Sequence, residues 1–149
     1  MWECRFQPPA LEIVRGHPLN RGIEMPRTKN FSDEELRCKC CDDNFMDEAF
    51  LERLQTVRNK FGSAMHLSSA YRCPVWNDQV SITGRTGPHT TGRAVDVLIS
   101  GKDSLRLISI ALDCGMQGIG IKQHGEYASR YIHLDDLTEG VRPHCWSYT

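Results

Sequence analysis

Three residues of this chain, His89, Asp96 and His133, are of the types that assemble a catalytic metal site. His89 opens the run HTTGRAVD, Asp96 closes it, and His133 lies far downstream in YIHLDD. Two neutral imidazoles and one carboxylate can hold zinc with a fourth position left to water. Water held in this way is acidified and can attack a carbonyl. The same residues also have ordinary uses. A strand histidine is often a satisfied core or edge residue, and Asp96 can pair with Arg93 or Arg72 instead of a metal. Spacing alone leaves two readings open: a zinc site, and a metal-free fold built on a buried Arg72–Asp96 pair.

For the three residues to meet, the chain must bring distant segments together. His89 follows Gly87-Pro88 and precedes Thr90-Thr91-Gly92, which places it on a constrained loop. Asp96 interrupts an apolar strand over 94–99, where a carboxylate is costly to bury without a cation or hydrogen-bond donors. His133 interrupts a second apolar strand over 131–134. Two strand-borne polar residues on neighbouring strands, with a loop histidine above, can converge on one ion.

The other elements follow from local pattern. Ser32 with Glu35 reads as a capping box that starts a short helix. Phe50, Leu54, Val57 and Phe61 form the apolar stripe of a helix over 46–61, stopped by Gly62. A strand is expected over 65–71, closed by Arg72-Cys73-Pro74, and a loop over 77–88. A helix over 104–114 carries Leu105, Ile108, Ala111 and Leu112 on its apolar side. Strands over 118–121 and 131–134 are joined by a polar loop containing His124 and Glu126. This alternation predicts an α+β fold, a small and mostly antiparallel sheet with helices packed on one side.

The 149 residues suit one domain. Residues 1–30 hold four of the seven prolines and read as an irregular N-terminal arm before a domain over 31–149. A net charge of −1 gives no positive field for nucleic acid. No apolar run approaches the ~20 residues of a membrane span. The N-terminus lacks an apolar secretory core, so synthesis in a cytoplasm without a signal peptide is expected. Seven cysteines without an export signal argue against a disulfide framework. Cys38, Cys40 and Cys41 stand as C-x-C-C, which is not read as a zinc-ribbon spacing. Free thiols, some buried as small hydrophobes, are expected there, with a second metal as the lesser alternative.

Taken in order, SSAYRCP with Asn77, GPHTTGRAVDV, GIGI, RYIHLDD and RPHCWSY resemble the zinc D-Ala-D-Ala carboxypeptidases. These are cell-wall peptidases related in fold to the hedgehog signalling domain, and the group includes many bacteriophage endolysins. The resemblance spans residues 30–149. It implies a catalytic domain with one zinc ion per chain on His89, Asp96 and His133, the zinc site lying at the sheet. It also implies that Arg72 grips the substrate's carbonyl or terminal carboxylate, a task suited to a planar guanidinium.

Two positions depart from the family pattern. Arg130 stands where an acidic general base is common, three residues before the last ligand, and Gly87 replaces a frequent polar residue. The proton acceptor then falls to Asp135, placed on the face of His133 about 7 Å along the strand, or to Glu126. Asp135 is also near enough to orient His133, and His124 is a candidate oxyanion stabiliser in the substrate site.

The function implied is a monomeric zinc metallopeptidase cleaving peptidoglycan stem peptides at D-amino acids. It would be phage or prophage encoded and act on the bacterial wall after release or from a virion. The alternative, fed by Arg130, is a zinc-containing structural or wall-binding protein without hydrolysis.

Overall fold

A computed structural model describes residues 28–149. Its strands are β1 (His66–Ser69), β2 (Ala94–Leu98), β3 (Gly118–Lys122), β4 (Tyr131–Asp135) and β5 (His144–Ser147). They form one sheet in the order β1-β2-β4-β3-β5. The helices are α1 (Asp33–Leu36), α2 (Glu48–Phe61), α3 (Pro74–Val80) and α4 (Lys102–Asp113). Most of the expected arm, residues 1–27, lies outside the described residues. At its end, Asn30 is tied to Gln55 of α2 by hydrogen bonds of 2.7 and 3.2 Å.

Strand alternation gives the sheet two chemically different faces. Val95 and Val97 of β2, Ile119 of β3, and Ile132 and Leu134 of β4 point to one face and are buried in the core. Phe50, Leu54, Val57 and Phe61 of α2 pack into the same core. Each fully buried side chain of this size contributes about 1.5–3 kcal/mol. Helix α2 begins where the Asp47 carboxylate accepts the Phe50 N–H at 2.9 Å. It ends at Gly62, whose φ of 74° is left-handed. Asp96 and His133 alternate with these apolar residues, so the opposite face receives the polar groups.

Three expectations need correction. The sheet is mixed rather than mostly antiparallel, because β5 runs parallel to β3. The strand β5 escaped the sequence reading because HCWS lies mostly exposed at a sheet edge and lacks an apolar run. Part of the expected loop over 77–88 is helical, since Cys73 caps α3 and Pro74 stands in its first turn. On α4 the buried side is Ser104, Leu107 and Ala111. Leu105 and Leu112, expected inside, are 70% and 51% exposed.

Candidate metal centre

The site is built on one row of residues crossing the sheet. Ser69 of β1 pairs with Asp96 of β2, which pairs with His133 of β4. His133 pairs with Gly120 of β3, and Gly120 with Trp146 of β5. Directly paired residues project to the same face, so Asp96 and His133 stand side by side on the polar face. His89 arrives from the 3-10 turn Pro88–Thr91. The His89 and His133 rings meet edge to face with centroids 5.0 Å apart. One donor atom from each of His89, Asp96 and His133 lies within 4.8 Å of the others, and all three residues are buried.

Glycine makes room for the layer above the row. A Cβ on Gly120 would lie 2.8 Å from ring atoms of both Trp146 and Tyr148 and 2.9 Å from the His133 Cβ. Those are distances no ordinary Cβ tolerates. Gly118, one row along, leaves the space filled by the Asp135 carboxylate. Trp146 therefore settles over His133, with ring centroids 5.1 Å apart.

The hydrogen bonds define where each imidazole is protonated. His89 Nδ1 lies 2.7 Å from the Ala70 carbonyl oxygen. A carbonyl only accepts, so Nδ1 carries the proton and Nε2 presents a lone pair. That Nε2 is 3.3 Å from Asp96 Oδ1. His133 Nε2 sits 3.0 Å from Asp135 Oδ2, and its Nδ1 lies 3.0 Å from the same Asp96 oxygen. Asp135 also accepts two bonds from Arg142, at 2.9 and 2.8 Å. It is the ionised acceptor for the His133 Nε2–H, which leaves His133 Nδ1 facing Asp96.

Three electron-rich atoms thus converge on a buried point, and such a set requires a positive charge among them. Two imidazole lone pairs and a carboxylate oxygen are the donor set that suits zinc, and the backbone carbonyl and Asp135 orient the two rings as outer partners do. The residues fit the metal.

In the metal-free site the electrostatics hold His89 neutral and favour a proton on His133 Nδ1, which metal binding would displace. Burial holds His89 below its usual pKa and so keeps it neutral, against the pull of Asp96. Burial alone would raise Asp96, but His89 and His133 beside it hold it far below the carboxylate range. Burial also opposes charging of His133, yet the hydrogen bonds to Asp135 and Asp96 raise its pKa. Asp135 is resisted by burial and brought down to about 2 by its bonds to His133 and Arg142.

Asp96 divides its oxygens between two partners. Oδ1 faces the histidines and Oδ2 accepts from Arg72 Nη2 at 2.7 Å. Arg72 is steadied by Ser69 Oγ, 2.8 Å from its Nε, and by the buried Asn77. The Arg72–Asp96 pair and the converging histidines therefore coexist. Arg93, the other partner considered for Asp96, instead pairs with Asp136 and Asp47.

A cleft of about 910 Å³ opens above His89, Asp96 and His133. Its walls include Arg72, Tyr131, Arg142, His144, Trp146 and Tyr148. Asp135 does not line it, being buried against the Nε2 edge of His133, the edge turned away from Asp96. Glu126 and His124 are not brought to the site. Both are exposed on the connection between β3 and β4, which Gly125 (φ 75°) and the 3-10 turn Tyr127–Ser129 carry beyond the strand ends. Arg130 turns back onto the Gly125 carbonyl and the Tyr127 ring.

Sequence reasoning assigned no role to Arg142, His144, Trp146 or Tyr148. The period-two spacing of His144, Trp146 and Tyr148 was the available sign that one strand face carries all three.

A family model described as peptidase M15 matches residues 29–135 of the chain. No curated protein gives a significant match. The matched span holds His89, Asp96, His133 and Arg72 but ends before the segment that supplies Arg142, His144 and Trp146.

Proposed function

The chain belongs to the peptidase M15 family, which makes it a metallopeptidase, and from this premise we propose that it cleaves peptidoglycan stem peptides at bonds to D-amino acids. The observation that carries this reading is the convergence of His89 Nε2, Asp96 Oδ1 and His133 Nδ1 on the floor of a cleft walled by Arg72. Zinc held by these three side chains would supply a Lewis acid for the scissile carbonyl and an acidified water for the attack.

The chain's own residues do the rest. Arg72 faces the cleft with a guanidinium already fixed by Ser69 and Asp96, placed to receive a terminal carboxylate or a developing oxyanion. Asp135 and the Ala70 carbonyl keep the lone pairs of both imidazoles turned inward. The phenols of Tyr131 and Tyr148 have pKa values raised by burial, which suits them to donate rather than accept hydrogen bonds. Among the described residues that line the cleft, His144 is the imidazole outside the His89, Asp96 and His133 set. We assign it the role of proton acceptor in place of Asp135 and Glu126. The substrate class places the action on the bacterial wall, reached after release from the cytoplasm or from a phage particle.

The test is to treat purified peptidoglycan, and a soluble peptide ending in D-Ala-D-Ala, with zinc-replete protein. Release of free D-Ala marks carboxypeptidase action, and internal fragments mark endopeptidase action. His144→Ala should lose about 10²–10⁴ in rate with zinc retained; a loss under about tenfold removes His144 from the mechanism. One observation favours the second reading, a zinc-containing structural or wall-binding protein. Asp96 supplies the only carboxylate side chain lining the cleft among the described residues. Folded, zinc-loaded protein that binds the wall and cleaves neither substrate would establish that reading.

A further inference from the structure

The cysteines expected to be buried thiols form a second constellation, away from the cleft. Sulfur atoms of Cys38, Cys41 and Cys73 lie within 4.8 Å of one another. The structure pairs Cys38 with Cys41, two residues intervening, and leaves Cys40 out of the group. The C-x-C-C run thus contains a C-x2-C spacing. We propose that Cys38, Cys41 and Cys73 hold a second, structural zinc ion.

Four features carry the proposal. First, the loop between the first two thiols is closed like a knuckle. Cys38 N–H donates to the Asp43 carbonyl at 2.8 Å, Asp42 N–H donates back to the Cys38 carbonyl at 3.0 Å, and Asp42 is left-handed with φ 61°. Second, backbone N–H groups point at the sulfurs. Cys73 N–H lies 3.3 Å from Cys38 Sγ, and Trp76 N–H lies 3.4 Å from Cys73 Sγ. Such bonds favour thiolates, the form that binds metal.

Third, two of the three thiols are enclosed, Cys38 at 0% and Cys73 at 8% exposure, and Cys41 is half-buried. A shielded thiolate set is the mark of a structural ion rather than a catalytic one. Fourth, three soft sulfur donors select zinc over the hard divalent cations. Asp43 is hydrogen-bonded to Cys41 and stands outside the three-donor group. Binding Zn²⁺ displaces the three thiol protons to solvent and leaves three S–Zn bonds.

The location gives the ion a purpose. It would join the segment after α1 to the turn entering α3, one residue from Arg72. The same two segments are already linked by Tyr71 N–H to the Leu36 carbonyl at 3.1 Å and by Lys39 Nζ to the Ser68 carbonyl at 2.6 Å.

The test is metal content by native mass spectrometry on full-length reduced protein, with cobalt replacement as a spectroscopic reporter. Wild type should carry two ions, and the His89→Ala/His133→Ala variant one. Cobalt-loaded wild type should show thiolate-to-metal charge transfer in the near ultraviolet. That band should vanish in Cys73→Ser and persist in Cys145→Ser. Folded wild type with one ion and no such band overturns the proposal, as does ready alkylation of all three thiols in metal-loaded protein. Loss of the histidine-bound ion alone would count against the metallopeptidase reading and not against this one.

Discussion

Replacing Asp135 by Asn separates a residue that holds a ligand in place from one that moves a proton. Asp135 is fully buried, accepts two Arg142 bonds at 2.9 and 2.8 Å, and lies 3.0 Å from His133 Nε2. Asn keeps the volume and removes the charge, stranding the Arg142 guanidinium, whose side chain is 12% exposed. Breaking a buried pair in this way costs about 3–5 kcal/mol. The residual exposure of Arg142 argues for the lower end, about 3 kcal/mol. At roughly 2–4 °C per kcal/mol for a chain of this size, Tm should fall by about 6–12 °C.

Zinc affinity should fall about 10–100-fold, because His133 loses the acceptor that fixes its tautomer. Differential scanning fluorimetry and chelator competition measure the two effects. The decisive assay is hydrolysis at saturating zinc. Asp135 acting through His133 predicts activity within about tenfold of wild type once the metal is loaded. A persistent loss of about 10²–10⁴ at full occupancy, with affinity unchanged, would refute this and restore Asp135 as the proton acceptor.

Further predictions test the surrounding design. Gly120→Ala places a methyl against Trp146, Tyr148 and His133, and should cost about 1–3 kcal/mol in thermal denaturation with a shift in tryptophan fluorescence. Arg72→Met should bind zinc at least as tightly as wild type in chelator competition while kcat/KM falls about 10²–10³. Chelation should abolish hydrolysis and lower Tm, and zinc should restore both, by an amount that grows with free metal concentration. Acid should destabilise the protein through Asp135. Its pKa is depressed from 3.8 to about 2, so its contribution is complete above pH 4 and is lost as pH falls toward 2. That contribution is about 2 kcal/mol. Asp135→Asn should therefore flatten stability between pH 4 and 2, read by urea denaturation.

The sequence showed most where the period of apolar residues coincides with burial. Val95, Val97, Ile132 and Leu134 announce two strands, and the polar residues set between them, Asp96 and His133, must share the opposite face. What periodicity could not supply was register. Nothing local says that Asp96 stands opposite His133, or that Gly120 and Trp146 continue the same row. Asp135 stayed divided between proton acceptor and orienter of His133 for the same reason. Strand alternation placed it on the face of His133, but only tertiary pairing with Arg142 turns it toward the Nε2 edge. The short helix α3 was masked by the polar Gly, Ser and Thr-rich run that follows it. The cysteine triad was hidden because Cys73 is distant in sequence from Cys38 and Cys41.

The pairing of charges around the cleft explains why one site can both hold a cation and welcome an anion. Asp96 is matched by Arg72 at 2.7 Å and Asp135 by Arg142 at 2.8 Å. The imidazole of His89 is held neutral by burial. With His133 neutral, as binding through its Nδ1 requires, the polar face carries two carboxylates and two guanidiniums and sums close to zero apart from the ion. A divalent ion then leaves the cleft floor with an excess of positive charge that no neighbouring carboxylate cancels. In a partly enclosed cleft that excess acts at reduced screening. It favours a peptide terminal carboxylate on approach and an oxyanion as the carbonyl is attacked. The arrangement sacrifices some metal affinity, because Arg72 draws on the same carboxylate the metal would use. Removing Arg72 should thus strengthen the metal's hold and weaken the chemistry, and a variant that weakened both would show that Arg72 serves mainly to keep Asp96 in place.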